Sequence, residues 1–162
     1  NKTVDVFATE QVIEAIKIEM PYIMTEKRFF GAPQLSFHII TNKLFDIEGI
    51  QILPIEALHH QMSVFGFRFG DFTYITDANY ISAEEIDKIR GSKILVLNAL
   101  RKSKHISHFS LEEAVEIIEE IKPEKAYLTH ISHFLGLHDK IEKELPPNIF
   151  LAYDGLKLRI PL

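Results

Sequence analysis

An α/β fold, with a mixed sheet and helices on its outer face, is the class this sequence predicts. Three observations predict it. The first half reads as a run of strands. The second half alternates buried apolar strands with helices that carry their own capping signals. Finally, four strand-like runs each deliver a histidine or an aspartate at or just beyond their carboxyl end, and loops at the carboxyl ends of strands are where α/β sheets collect ligands.

The elements follow in order. Val4–Ala8 reads as a buried strand, and Thr9 can cap a helix carrying Val12, Ile13 and Ile16. Tyr22–Gln34, with Gly31 and Pro33, reads as a loop. Leu35–Thr41, Leu44–Ile47 and Ile50–Leu58 read as strands, with a turn at Ile47-Glu48-Gly49. Phe65–Phe69 and Phe72–Thr76 flank Gly70-Asp71, a tight hairpin. Ser82-Ala-Glu-Glu85 is a capping-box pattern for a short helix that ends near Gly91. Lys93–Leu100 is a continuous apolar strand. A second capping box, Ser110-Leu-Glu-Glu113, opens a helix with Leu111, Ala114, Val115, Ile118 and Ile121 on one face, stopped before Pro123. Ala126–Thr129 is a buried strand and Leu137–Leu145 a short helix. Ile149–Tyr153 and Leu156–Ile160 are expected to form a last hairpin around Asp154-Gly155.

Composition narrows the function classes. The chain has 162 residues, 46% of them hydrophobic, and no apolar run long enough for a membrane span. With no cysteine, a transition metal would have to be held by His, Asp or Glu, a donor set that suits Zn, Mn or Fe(II). Cysteine-free composition also fits the cytoplasm. A net charge of −5 and a pI near 5.9 argue against a nucleic-acid binder, which would show a basic face. The densest basic run, Arg101-Lys102-Ser103-Lys104-His105, could meet one or two phosphates.

Each donor also has a plain structural reading. His130 after Ala126–Thr129 could bond backbone, Asp77 could cap a loop, and His105 and His108 could face solvent. Of His59-His60, only one can face a shared site, because neighbours on a strand point to opposite faces. The order His, Asp, His, His along successive strands is what raises the joint signal.

From Val4 to Leu162 the chain resembles the C-terminal part of metallo-β-lactamase-fold hydrolases, mainly their phosphodiesterase branch. The resemblance rests on His59 before Gly66-Phe67-Arg68 and on the strand end Thr76-Asp77. It rests further on His108-Phe-Ser-Leu-Glu-Glu-Ala114, on Leu128-Thr-His130-Ile-Ser132 and on Ala152-Tyr-Asp-Gly155. The resemblance implies an αββα sandwich of which 1–162 is a single partial domain. The family's H-x-H-x-D-H signature occurs nowhere in this sequence, so the expectation is a truncated domain lacking its N-terminal half.

By resemblance, His59 binds one of two divalent metals (Zn or Mn), His130 the other, and Asp77 bridges them. The implied reaction is attack of a metal-bound hydroxide on a small phosphate ester, of which a cyclic ribosyl phosphate is one candidate. His108 would be the general acid, with Lys102, Lys104, His105 and His133 orienting the substrate. This chain alone is expected to hold little metal and to be inactive. An apolar sheet face left uncovered would favour a homo-oligomer or association through that face. The alternatives are a tRNA 3′-processing endonuclease-like metallo-hydrolase and a non-catalytic interaction module.

Overall fold

The computed structural model describes residues 3–23 and 33–160. Most of the loop expected at Tyr22–Gln34, residues 24–32, lies outside them. The chain divides into two compact units, Asn1–Lys43 and Leu44–Leu162.

In the first unit, β1 (Thr3–Ala8) pairs in parallel with β2 (Gln34–Ile39), and α1 (Glu10–Glu19) lies between them in sequence. Helix α1 begins where the sequence places it, since Thr9 Oγ1 accepts the Val12 amide at 3.3 Å.

The second unit holds an eight-stranded mixed sheet. Its strands are β3 (Phe45–Ile47), β4 (Ile50–His59), β5 (Met62–Phe69), β6 (Phe72–Ile75), β7 (Tyr80–Ile81), β8 (Ile94–Asn98), β9 (Lys125–Thr129) and β10 (Ile149–Leu151). The order is β10-β9-β8-β6-β5-β4-β3, with β7 on β4. Strand β5 is antiparallel to both β4 and β6, so β4 and β6 run the same way. Strands β8, β9 and β10 continue in parallel from β6. Five strands therefore end at one rim, and His59, Asp77, His105, His108 and His130 all lie at or beyond those ends.

Alternation along the strands divides the sheet into two faces. Ile55, Ile75, Leu95, Leu97 and Leu128 share one core cluster with Ile86 and Ile89 of α2 (Ala83–Ile89) and with Ala114, Ile118 and Ile121 of α3 (Leu111–Ile121). Gly66 belongs to this face because a Cβ there would come within 2.5 Å of Ile75 Cγ1 and 2.8 Å of the Tyr74 carbonyl. On the other face, Pro54, Phe67, Tyr74, Val96, Tyr127 and Phe150 lie in direct cross-strand register. Tyr127 and Phe150 stack there with centroids 5.5 Å apart.

Helix α3 has the full capping box, with Ser110 and Glu113 each bonding the other's backbone amide. At α2 only half of the box forms. Ser82 accepts the Glu85 amide, but the Glu85 carboxylate takes the Glu56 amide at 2.8 Å and Lys88 at 2.7 Å instead. The expected helix Leu137–Leu145 is shorter, α4 (His138–Ile141) followed by a 3₁₀ turn at Glu142–Glu144.

The last hairpin is corrected. The turn forms, with the Leu156 amide on the Tyr153 carbonyl at 3.1 Å, but Leu156–Ile160 is not a strand. Strand β10 is only three residues long, and its described ladder is with β9. Leu156, Leu158 and Ile160 are half-buried, so this segment lies down through alternate side chains and makes no ladder. No helix of the described residues is long and apolar enough to cross a membrane.

Candidate metal and catalytic site

His59 is the last residue of β4, and its ring meets His108 edge-on at 4.8 Å. The next residue turns away. His60 has φ of 59°, and its amide is held by Asn79 Oδ1 at 2.6 Å. Asp77 follows β6 by two residues with φ of 54°, and His130 follows β9 directly with φ of 56°. Left-handed backbone is uncommon for residues other than glycine, though Asp and His tolerate it better than most. Here it turns both side chains out of their strand directions at the point where the donors meet.

Asp77 is the shared centre. Its Oδ1 lies 3.2 Å from His108 Nε2 and 3.4 Å from His130 Nε2. The His108 and His130 rings stack at 4.7 Å, 10° from parallel. His105 joins from the other side, its Nδ1 3.1 Å from His108 Nδ1, with Ser107 Oγ 3.3 Å from the former and 2.9 Å from the latter. The ligating atoms of His59, Asp77 and His108 all fall within 4.8 Å of one another.

The His108 side chain is only 11% exposed. Burial, which disfavours the charged ring, pulls its pKa below the ordinary histidine value. The Asp77 hydrogen bond opposes that pull, and His130 and His59 reinforce it.

One positioning residue escapes a sequence reading. Asn98, fully buried at the end of β8, accepts the Ala78 amide at 3.0 Å and donates to the Ala78 carbonyl at 2.9 Å. It thereby clamps the residue after Asp77. The available signal was a lone amide closing an otherwise apolar run, Ile94-Leu-Val-Leu-Asn98.

The other expected substrate-binding residues lie differently. Lys102 Nζ is 2.6 Å from Glu144, and Lys104 Nζ is 3.6 Å from Glu113. His133 packs on Phe134 with centroids 3.9 Å apart. Of the four, His105 is the one seen in contact with the cluster.

A His/Asp cluster at the carboxyl rim of a mixed sheet, with helices packed on the sheet, is the layout of the metallo-β-lactamase fold. The chain belongs to the family described as the beta-lactamase superfamily domain, whose model matches residues 1–131. Among solved structures, a diphosphatase of the PhnP family is similar to the whole chain, with TM-score 0.90 and 33% identity. Human tRNase Z, short form, matches 100% of the chain and 70% of its own at TM-score 0.68 and 16% identity, which shows the fold alone. The same holds for Zn(2+)-bound PqqB of Methylobacterium extorquens, matched over 98% of this chain and 66% of its own at TM-score 0.71 and 12% identity. An octanoyltransferase of Porphyromonas gingivalis is 29% identical over 154 residues, 94% of this chain. The chain spans 31% of the length of that relative and 60% of the diphosphatase.

Proposed function

We propose that this chain forms part of a metal-dependent hydrolase acting on a small phosphate ester. The observation that carries the reading is one carboxylate oxygen shared by two imidazoles, with a third imidazole against them. Three or four nitrogen donors and an oxygen donor, with no thiolate, fit Zn or Mn. Divalent metals are general in this family, and PqqB is a Zn-bound neighbour. When bound, the metals would supply Lewis acidity toward the ester and acidify a water molecule.

The chain's own residues then divide as follows. His59, Asp77 and His130 would hold the metals, with Asp77 Oδ1 3.4 Å from His130 Nε2 and so able to orient that ring. His108 donates the proton that the leaving oxygen needs. Asn98 fixes the backbone beside Asp77 so that the carboxylate stays aimed. The aromatic sheet face is where the rest of the protein or a second copy packs, and the cysteine-free chain is read as cytoplasmic. The diphosphatase neighbour supports phosphate-ester chemistry. A tRNA-processing reading ranks lower on net charge. Acyl transfer is not adopted, because the octanoyltransferase is matched over less than a third of its length.

One observation favours a second role for His108. The compact donor trio is His59, Asp77 and His108, which would suit a ligand as well as an acid. His108→Ala in the metal-loaded full-length protein separates the two. As an acid, its loss lowers turnover of an unactivated phosphodiester by about 10²–10⁴-fold with metal retained, and much less for a nitrophenyl ester. Equal loss on both esters removes the acid role, and loss of metal makes His108 a ligand.

A further inference from the structure

We infer that the rim around the cluster recognises its substrate by stacking and apolar contact, so that the ester it takes carries a nucleobase on the group that stays bound to the phosphate. This rests on the phosphate-ester reading above. Among the described residues of the Leu44–Leu162 unit, the most exposed large apolar side chains are Ile106 at 69%, Phe134 at 68% and Leu137 at 67%, followed by Tyr153. All four lie in segments that leave β8, β9 and β10 at the rim. Single exposed apolar residues are ordinary, but three of these four lie in the two segments that also carry His105, His108 and His130.

The cationic side chains at the same rim already face partners. Lys102 has Glu144, Lys104 has Glu113, and Arg101 donates to the Ser103 carbonyl at 3.2 Å and the Lys104 carbonyl at 2.7 Å.

Phe134 is also positioned. Its amide donates to Ser132 Oγ at 3.3 Å, and Ser132 bonds the Leu100 carbonyl through its amide at 2.9 Å and its hydroxyl at 2.8 Å. The Leu100 amide in turn closes the loop that carries Ile106 by bonding the Phe109 carbonyl at 3.0 Å. One residue, Leu100, thus anchors both segments. His133 packs on Phe134 with centroids 3.9 Å apart and a 39° tilt, three and four residues beyond His130.

The test uses the full-length protein loaded with Mn²⁺ and two esters with the same leaving group, thymidine 5′-(p-nitrophenyl phosphate) and methyl p-nitrophenyl phosphate. Stacking of a base on an aromatic side chain is worth roughly tenfold or more. The thymidine ester should therefore show a KM about tenfold lower, at similar kcat. Phe134→Ala should bring the KM ratio near one, and Phe134→Trp should restore it. Calorimetry should show thymidine 5′-monophosphate binding more tightly than deoxyribose 5-phosphate, a difference that Phe134→Ala removes.

Hydrolysis of both esters without a base preference overturns the inference and leaves the phosphate-ester reading standing. Base-selective binding with neither ester hydrolysed supports the recognition and sinks the phosphate-ester reading. A dimer that dissociates on Phe134→Ala, with the KM ratio unchanged, overturns the inference by making Phe134 an interface residue.

Discussion

Asp5 and Asp77 both meet a histidine, and the closer pair is the less informative. Asp5 Oδ1 lies 2.7 Å from His38 Nε2, whereas Asp77 Oδ1 lies 3.2 Å from His108 Nε2. Asp5 and His38 are exposed on neighbouring strands, with Ser36 Oγ 3.3 Å from the same nitrogen and Phe7 stacked on the ring. The His38 hydrogen bond holds the Asp5 carboxyl below its ordinary value. That arrangement is an exposed group of three hydrogen-bonded residues, and its electrostatics are screened. At the rim, one carboxylate stands among four imidazoles, His59, His105, His108 and His130. Neutral imidazoles each offer an acceptor nitrogen, so converging several of them leaves lone pairs that a cation would satisfy. What marks a site is a surplus of acceptors held together, more than any one short bond.

That contrast can be broken or sharpened by substitution. The largest effect is expected from Asp77→Ala, which should remove metal and hydrolysis together from the full-length protein. Metal analysis beside a rate assay checks this, and activity within tenfold of wild type would remove Asp77 from the site. Asn98→Ala should come next. It leaves the Ala78 amide and carbonyl buried without their partner, at a cost of about 1–3 kcal/mol in urea unfolding.

Ser110→Ala should cost about 1 kcal/mol through the lost cap, and this loss should depend on pH. Burial raises the Glu113 carboxyl, but the Ser110 amide and hydroxyl and the Lys104 charge outweigh it and leave the pKa below its ordinary 4.5. The folded state then binds the Glu113 proton more weakly than the unfolded state. The stabilisation is present above pH 4.5 and is lost as pH falls through the folded value. The penalty of Ser110→Ala should therefore be full at neutral pH and shrink in acid, as unfolding at a series of pH values would show. The smallest effect is expected from Asp5→Asn, with no measurable change in the unfolding midpoint or in turnover. A clear loss of either would mean that the exposed pair does more than its surroundings suggest.

His59, Asp77 and His130 were legible as rim residues because each ends or closely follows an apolar run, whereas His105 and His108 lie in the loop beyond β8. Thr76-Asp77 and Leu128-Thr-His130 reach the rim through their strands, but the left-handed turns that aim the two side chains were not legible. Strand β8 and helix α3 were legible for a similar reason, one from an unbroken apolar run and the other from its reciprocal cap. Strand β7 was not, because two residues, Tyr80 and Ile81, carry no period, and only their register with Ala57 and Leu58 makes them a strand. The pattern from Leu156 to Ile160 misled for the opposite reason. It alternates like a strand, but alternation reports half-burial and does not require a hydrogen-bonded neighbour. The Glu85 carboxylate likewise left its local cap for the Glu56 amide, a partner 29 residues away that local reading does not reach.

The left-handed backbone at Asp77 and His130 leaves a trace of a different kind. Holding a residue with a Cβ in that region costs about 1 kcal/mol or more relative to glycine. Were the cluster released from selection, glycine would gain stability at these two positions, as it already would at Glu48 and Lys122, which share the left-handed region outside the cluster. The pair can thus serve as a clock hand in comparisons among descendants of this domain. A descendant with glycine at both turns, but not at Glu48 and Lys122, is expected to have lost the cluster's function.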